Sequence, residues 1–190
     1  MANVLAVHSA INSLVTYLRN SYPDPPPGGF ACKFRLLSSG EMESIDEAET
    51  TITVYLHRVT LNDHMRNKER SHGATQPSLW LDLHFMLTIW TSNAPAELTV
   101  LAWAMRQLHQ NPVLNAAILS PDGGWDVHDV VQVTPAELTN EEVMRVWDRL
   151  KPSYRLSVPY MARVVRIDPD KSVDGQPVVV TDFGYGQQAW

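Results

Sequence analysis

The chain has 190 residues, 44% of them hydrophobic and 19% charged, enough apolar material for one well-filled core and too ordered a composition for a disordered chain. Fifteen basic against twenty-one acidic side chains leave a formal charge of −6, and no dense run of Lys or Arg offers the basic face that a nucleic acid demands. A single cysteine, Cys32, excludes an intrachain disulfide framework, and no window approaches the roughly 18 uninterrupted apolar residues of a membrane-spanning helix. The first residues carry no basic leader ahead of an apolar run, so the expectation is a protein folded in the cytoplasm that leaves it only as part of something larger.

Residues 2–21 read as a helix, because Val4, Val7, Ile11, Leu14, Val15 and Leu18 recur at spacings of three and four and form one apolar stripe. Pro23 and the run from Pro25 to Gly29 end it. Residues 30–37 read as a first strand with Phe30, Cys32, Phe34 and Leu36 on one side. An acidic loop follows, with Glu41, Glu43, Asp46, Glu47 and Glu49 and no base among them. It lacks the ligand order of a calcium loop and is expected to be solvated, or else to meet a basic partner. Residues 50–60 are rich in β-branched side chains and read as a second strand; a polar loop spans residues 62–78.

Residues 79–90 carry the strongest pattern. Leu79, Leu81, Leu83, Phe85, Leu87 and Ile89 alternate with Trp80, Asp82, His84, Met86, Thr88 and Trp90. One side is wholly apolar and the other mixed, over about 40 Å of extended chain, which predicts the centre of a sheet. Asn93 is placed to cap a helix to about residue 111, with Pro95 in its first turn. Assigning Leu98, Leu101, Ala102, Met105 and Leu108 to its core stripe leaves Val100 and Trp103 on the outer side, where they are candidates for contact with a partner.

Residues 112–119 read as a short helix, 121–124 as a turn and 125–133 as a strand with Val127, Val131 and Val133 in phase. Thr139 and Glu142 form a capping box, with Leu138 and Val143 as its staple; Val143, Val146, Trp147 and Leu150 make the apolar side, and Pro152 ends the helix. Residues 156–167 form a further strand, and 177–183 are expected to pair back or to reach out. Strands separated irregularly by loops and helices imply an α+β fold: a single domain over residues 1–168, with a mixed, mostly antiparallel sheet flanked by three or four helices, and a C-terminal strand and tail over 169–190.

Catalytic signatures are sparse. The chain holds no GxSxG elbow, no phosphate-binding glycine loop before a helix, no HExxH and no CxxC. Asp82 and His84 share one side of a strand, and with His57 from a neighbouring strand they would suit a metal-dependent enzyme; the alternative is a structural polar pair beneath a helix. Of the six tryptophans, Trp80 and Trp147 suit a core, while Trp103 and Trp190 suit an interface. Val178, Val179, Val180 and Phe183 form a strand-prone segment suited to strand addition on a neighbour.

Four segments in order carry a resemblance to a known family. They are Val54-Tyr55-Leu56-His57-Arg58-Val59 with Asn62 and Arg66-Asn67; Leu81 through Thr88; Ala104 through His109 with Pro112-Val113-Leu114; and Tyr154-Arg155-Leu156-Ser157-Val158 with Tyr160, Arg163, Val164 and Val165. In this order and spacing the chain resembles the cap, or tail-terminator, family of extracellular contractile injection systems, the antifeeding-prophage and virulence-cassette type of particle. His57 stands where that family usually has an aromatic, and Pro159 interrupts the last run. The resemblance implies a structural cap: a homohexameric ring that ends the inner tube and holds the last layer of the contractile sheath. Its partners would be further copies of itself, the tube protein and the sheath protein. It implies no catalytic residue and no cofactor. A neck or adaptor protein of a phage-like tail is the alternative within the same class.

Overall fold

The computed structural model describes residues 2–65, 67, 78–151 and 153–169. Among the described residues six strands form one sheet in the order β1-β2-β3-β6-β5-β4. They are β1 (Lys33–Leu37), β2 (Thr51–Leu61), β3 (Leu79–Trp90), β4 (Val113–Asn115), β5 (Val130–Pro135) and β6 (Ser157–Ile167). Only the edge pair β1/β2 is parallel; every other pairing is antiparallel. The α+β class and the mixed, mostly antiparallel sheet are as the sequence predicts.

β3 starts and stops at Leu79 and Trp90, the limits of the alternating run, and lies between β2 and β6. Its apolar side, Leu81 to Ile89, is buried under helices α1 (Ala6–Ser21) and α2 (Ala94–Gln110) in the main core. Its mixed side is dry as well at one end. Met86 and Trp90 pack with Leu37, Met42 and Trp147 in a second core, beneath α3 (Asn140–Trp147). The sheet is therefore covered on both faces at this end, and Thr88 and Trp90 of that second side find partners inside the fold, whereas the buried indole N–H groups of Trp80 and Trp147 have no hydrogen-bond partner among the described residues. Trp90 Nε1 donates to Thr53 Oγ1 at 2.8 Å, and Thr88 and Ser157 join their hydroxyls at 2.8 Å.

Several expectations are corrected. In α2 the inward side is Val100, Leu101, Trp103, Ala104 and Leu108, with Val100 fully buried and Trp103 only 5% exposed. Trp103 meets Tyr22 edge-on at 4.7 Å between ring centroids and Phe34 at 6.1 Å. Two stripes at helical spacing compete in this helix, and the one holding the large aromatic wins because it buries more area and finds aromatic partners. Leu98 and Met105 consequently face solvent. Residues 113–115 form strand β4, where a short helix is expected from sequence, and Val127 stands outside β5, which begins at Val130. α1 begins at Ala6, so Val4 is an exposed residue of the approach to the helix.

The turn at Pro121–Gly123 seats α1. Trp125 Nε1 donates to Ser9 Oγ at 2.9 Å, and a Cβ on Gly123 would fall 2.4 Å from that same nitrogen, so the position admits only glycine. The end of β6 is tied to the chain's start: the Ala2 N–H donates to Asp168 Oδ2 at 2.8 Å, and the Asp168 N–H donates to the Ala2 carbonyl at 2.8 Å. The C-terminal segment 170–190, including Val178, Val179, Val180, Phe183 and Trp190, lies outside the described residues.

Candidate functional site

Asp82, His84 and His57 are near one another, but Asp82 and His84 are committed elsewhere. The Asp82 carboxylate accepts from Asn62 Nδ2 through both oxygens, at 3.1 Å each, and from the Val164 N–H at 3.1 Å. The register of β3 against β6 shifts between Leu81 and Leu83, opposite Val164, whose φ is +66°. A β-branched residue in that left-handed conformation costs on the order of 1–3 kcal/mol. The Asp82 carboxylate binds the N–H at this bulge and also anchors Asn62, whose own N–H donates to the Trp80 carbonyl. It is a strand-shaping residue.

His84 shares a 3.0 Å hydrogen bond with Thr60 Oγ1, and its ring centre stands 6.3 Å from that of His57. His57 sits where the β2/β3 register shifts, and its buried Nε2 has no partner. Burial, then His84 and Arg58, lowers the His57 pKa; burial, then Arg58, lowers that of His84 despite the opposing pull of Asp82. Both rings are thus held neutral, and among the described residues no three His, Cys, Asp or Glu side chains converge as metal ligands. Of the structural alternative, bonding of Asp82 and His84 to each other or to backbone, Asp82 follows the second form through the Val164 N–H and adds Asn62, while His84 bonds to Thr60.

The acidic loop is no open anionic surface. Remote bases return to it: Lys33 pairs with Glu49, Arg155 with Glu47, Lys151 with Glu43 at 3.0 Å, and Arg35 reaches Glu41 at 4.0 Å. Ser38 caps the helical turn at Ser39–Ser44, where its N–H and hydroxyl donate to Glu41 at 2.8 and 2.7 Å and hold that carboxyl below its ordinary pKa.

Surplus apolar surface lies where β2 and β3 run past the helices. Leu61 is paired with Leu81 and Val59 with Leu83, so both stand with Leu79 on the side of the sheet that α1 and α2 cover elsewhere. At this end of the strands Val59, Leu61 and Leu79 are 46%, 49% and 44% exposed. Sequence reasoning missed this patch, although the length of the 79–90 run was the available signal. A second apolar surface is the outer side of α2, where Leu98 and Met105 are exposed beside a cavity of about 500 Å³ walled by Pro27, Thr99 and Arg106.

Among the described residues, then, the domain is a six-stranded α+β sheet covered on two faces, with apolar side chains exposed at its rim. The chain belongs to the family described as the Pvc16 N-terminal domain, which matches residues 9–181. Its fold is similar to that of the sheath/tube terminator of an extracellular contractile injection system, PVC, solved by cryo-electron microscopy in the extended state. The TM-score is 0.57 at 16% identity, over 98% of this chain and 64% of that one. It is also similar to the tube-terminating cap of the anti-feeding prophage, with a TM-score of 0.56 at 16% identity over 92% of this chain and 60% of that one. The chain thus spans under two thirds of the length of either. A search of curated proteins gives no match.

Proposed function

We propose that this protein is a structural cap that terminates the tube of a phage-tail-like contractile injection system. The observation that carries the reading is the family membership over residues 9–181, supported by a fold shared with two proteins described as terminators. The chain is read as a non-enzyme: Asp82, the carboxylate of the candidate metal cluster, is spent on the geometry of a strand bulge. It forms a ring of six copies on the end of the inner tube and holds the last sheath layer, assembling in the cytoplasm and remaining on the released particle. Polymerisation stops because the cap matches the tube's subunit interface on one side and offers no such interface on the other.

The apolar rim at Val59, Leu61 and Leu79 is the surface proposed to meet tube or neighbouring cap, because such exposed apolar side chains gain most from burial. Residues 177–190 are proposed to act as an arm that adds a strand to a neighbour. Val100 and Trp103, being core residues, shape the contact surface from beneath, and Leu98 and Met105 take their place as the outward residues of α2. The test is polymerisation of the cognate tube protein with and without this protein, scored by negative-stain microscopy. Substoichiometric cap should shorten the tubes and sit at one end only. Tubes of unchanged length would overturn the reading, as would binding at the junction with a head or collar in place of the free end, the behaviour of a neck or adaptor.

A further inference from the structure

On the sheet face opposite Val59, Leu61 and Leu79, a cavity of about 420 Å³ opens between β2 and α3. Tyr55, Val146 and Leu150 supply apolar wall, and His57, Arg58, Arg145 and Arg149 supply cationic or hydrogen-bonding groups. The acid in the lining, Glu142, is already engaged: Thr139 donates to it from its N–H and its hydroxyl, both at 2.9 Å. Arg145 pairs with Glu141 at 2.6 Å. Arg58 and Arg149 make no ion pair or hydrogen bond among the described residues, and the buried His57 Nε2 has no partner. After Thr139, Arg58 and Arg145 also act on Glu142 and help hold its carboxyl below the ordinary range, so three arginines stand against Glu142 and the neighbouring Glu141, a local surplus of positive charge on a chain whose net charge is −6.

We propose that this cavity docks a short acidic segment of a protein partner, in which a carboxylate side chain neighbours an apolar one. Guanidinium groups bind carboxylates through paired N–H donors, and the apolar wall shields those bonds from water. The volume lies in the range of sites that take a few side chains, and the acidic remainder of the molecule repels polyanions. The negative surroundings also favour a partner that carries both charge and grease over a free anion, which would gain nothing from Tyr55 and Leu150. This inference does not require that the chain be a cap.

The test is fluorescence anisotropy on the whole chain with a labelled, end-blocked hexapeptide of alternating Glu and Leu. The comparison peptide alternates Lys and Leu. The double variant Arg58→Glu, Arg149→Glu should weaken binding of the acidic peptide by at least about tenfold, as loss of buried charge pairs does. Arg106→Glu on the outer side of α2 changes charge without touching the cavity and should leave binding within about twofold. Thermal melts of every variant show that each is folded. The proposal is overturned by no binding at millimolar protein, by equal loss in Arg106→Glu, by equal binding of the Lys peptide, or by equal competition from acetate or from a DNA hexamer.

Discussion

Replacing Asp82 by Ala removes the acceptor for the Val164 N–H and leaves the buried Asn62 amide without its carboxylate. The expected loss is about 2–4 kcal/mol in urea unfolding, since buried donors are left unpaired at a strained bulge. A metal titration should stabilise neither protein; zinc-dependent stabilisation of the wild type alone would return Asp82 to the role of ligand. The two histidines set a pH window. Their pKa values in the fold lie below the unfolded value of about 6.5, so the unfolded chain takes up protons first, and stability present above that pH declines as the solution is acidified. Glu41 and Glu142, with lowered pKa values, lose their caps only below about pH 4, which leaves the interval from 7 to 5 to the imidazoles. His57→Leu should flatten the decline over that interval, checked by denaturation at each pH. Sequence placed Asp82 and His84 on one side of one strand because period-two alternation is local. It did not reveal Asn62 and Val164 as partners, because a bulge and its long-range contacts leave no periodic trace.

At the level of elements, the clearest sequence signals were the ones that local chemistry enforces. The capping box at Thr139 and Glu142 opens α3 as expected, and the Asn93 side chain accepts from the Ala96 N–H at the start of α2. Thr139→Ala should cost about 1 kcal/mol, measured by chemical denaturation. The rotational phase of α2 was not legible, because Leu101 and Leu108 can share an apolar stripe either with Leu98 and Met105 or with Val100, Trp103 and Ala104, and only tertiary partners choose between the two. Trp103→Ala therefore tests the corrected phase. As a core residue packed on Tyr22 and Phe34 it should lose about 3–5 kcal/mol of stability, whereas a surface tryptophan would lose little. β4 was likewise read as helix, because three residues are too few for a period and its strand character comes from pairing with β5.

For the molecule as a whole, one apolar and one mixed strand face were foreseen from residues 79–90, while the uncovered rim had to be seen in three dimensions. Leu61→Asp should leave the melting temperature of the isolated protein nearly unchanged, since the side chain is already half in water, yet abolish tube capping. Deleting residues 177–190 should weaken ring assembly, followed by native mass spectrometry, while the monomer keeps its fold. The most direct measurement is cryo-electron microscopy of the end of a tube assembled with this protein. The account predicts a single ring of six copies on the terminal tube layer, with Val59, Leu61 and Leu79 buried against protein. Density along the shaft, or a ring whose contacts leave that rim in solvent, would contradict it.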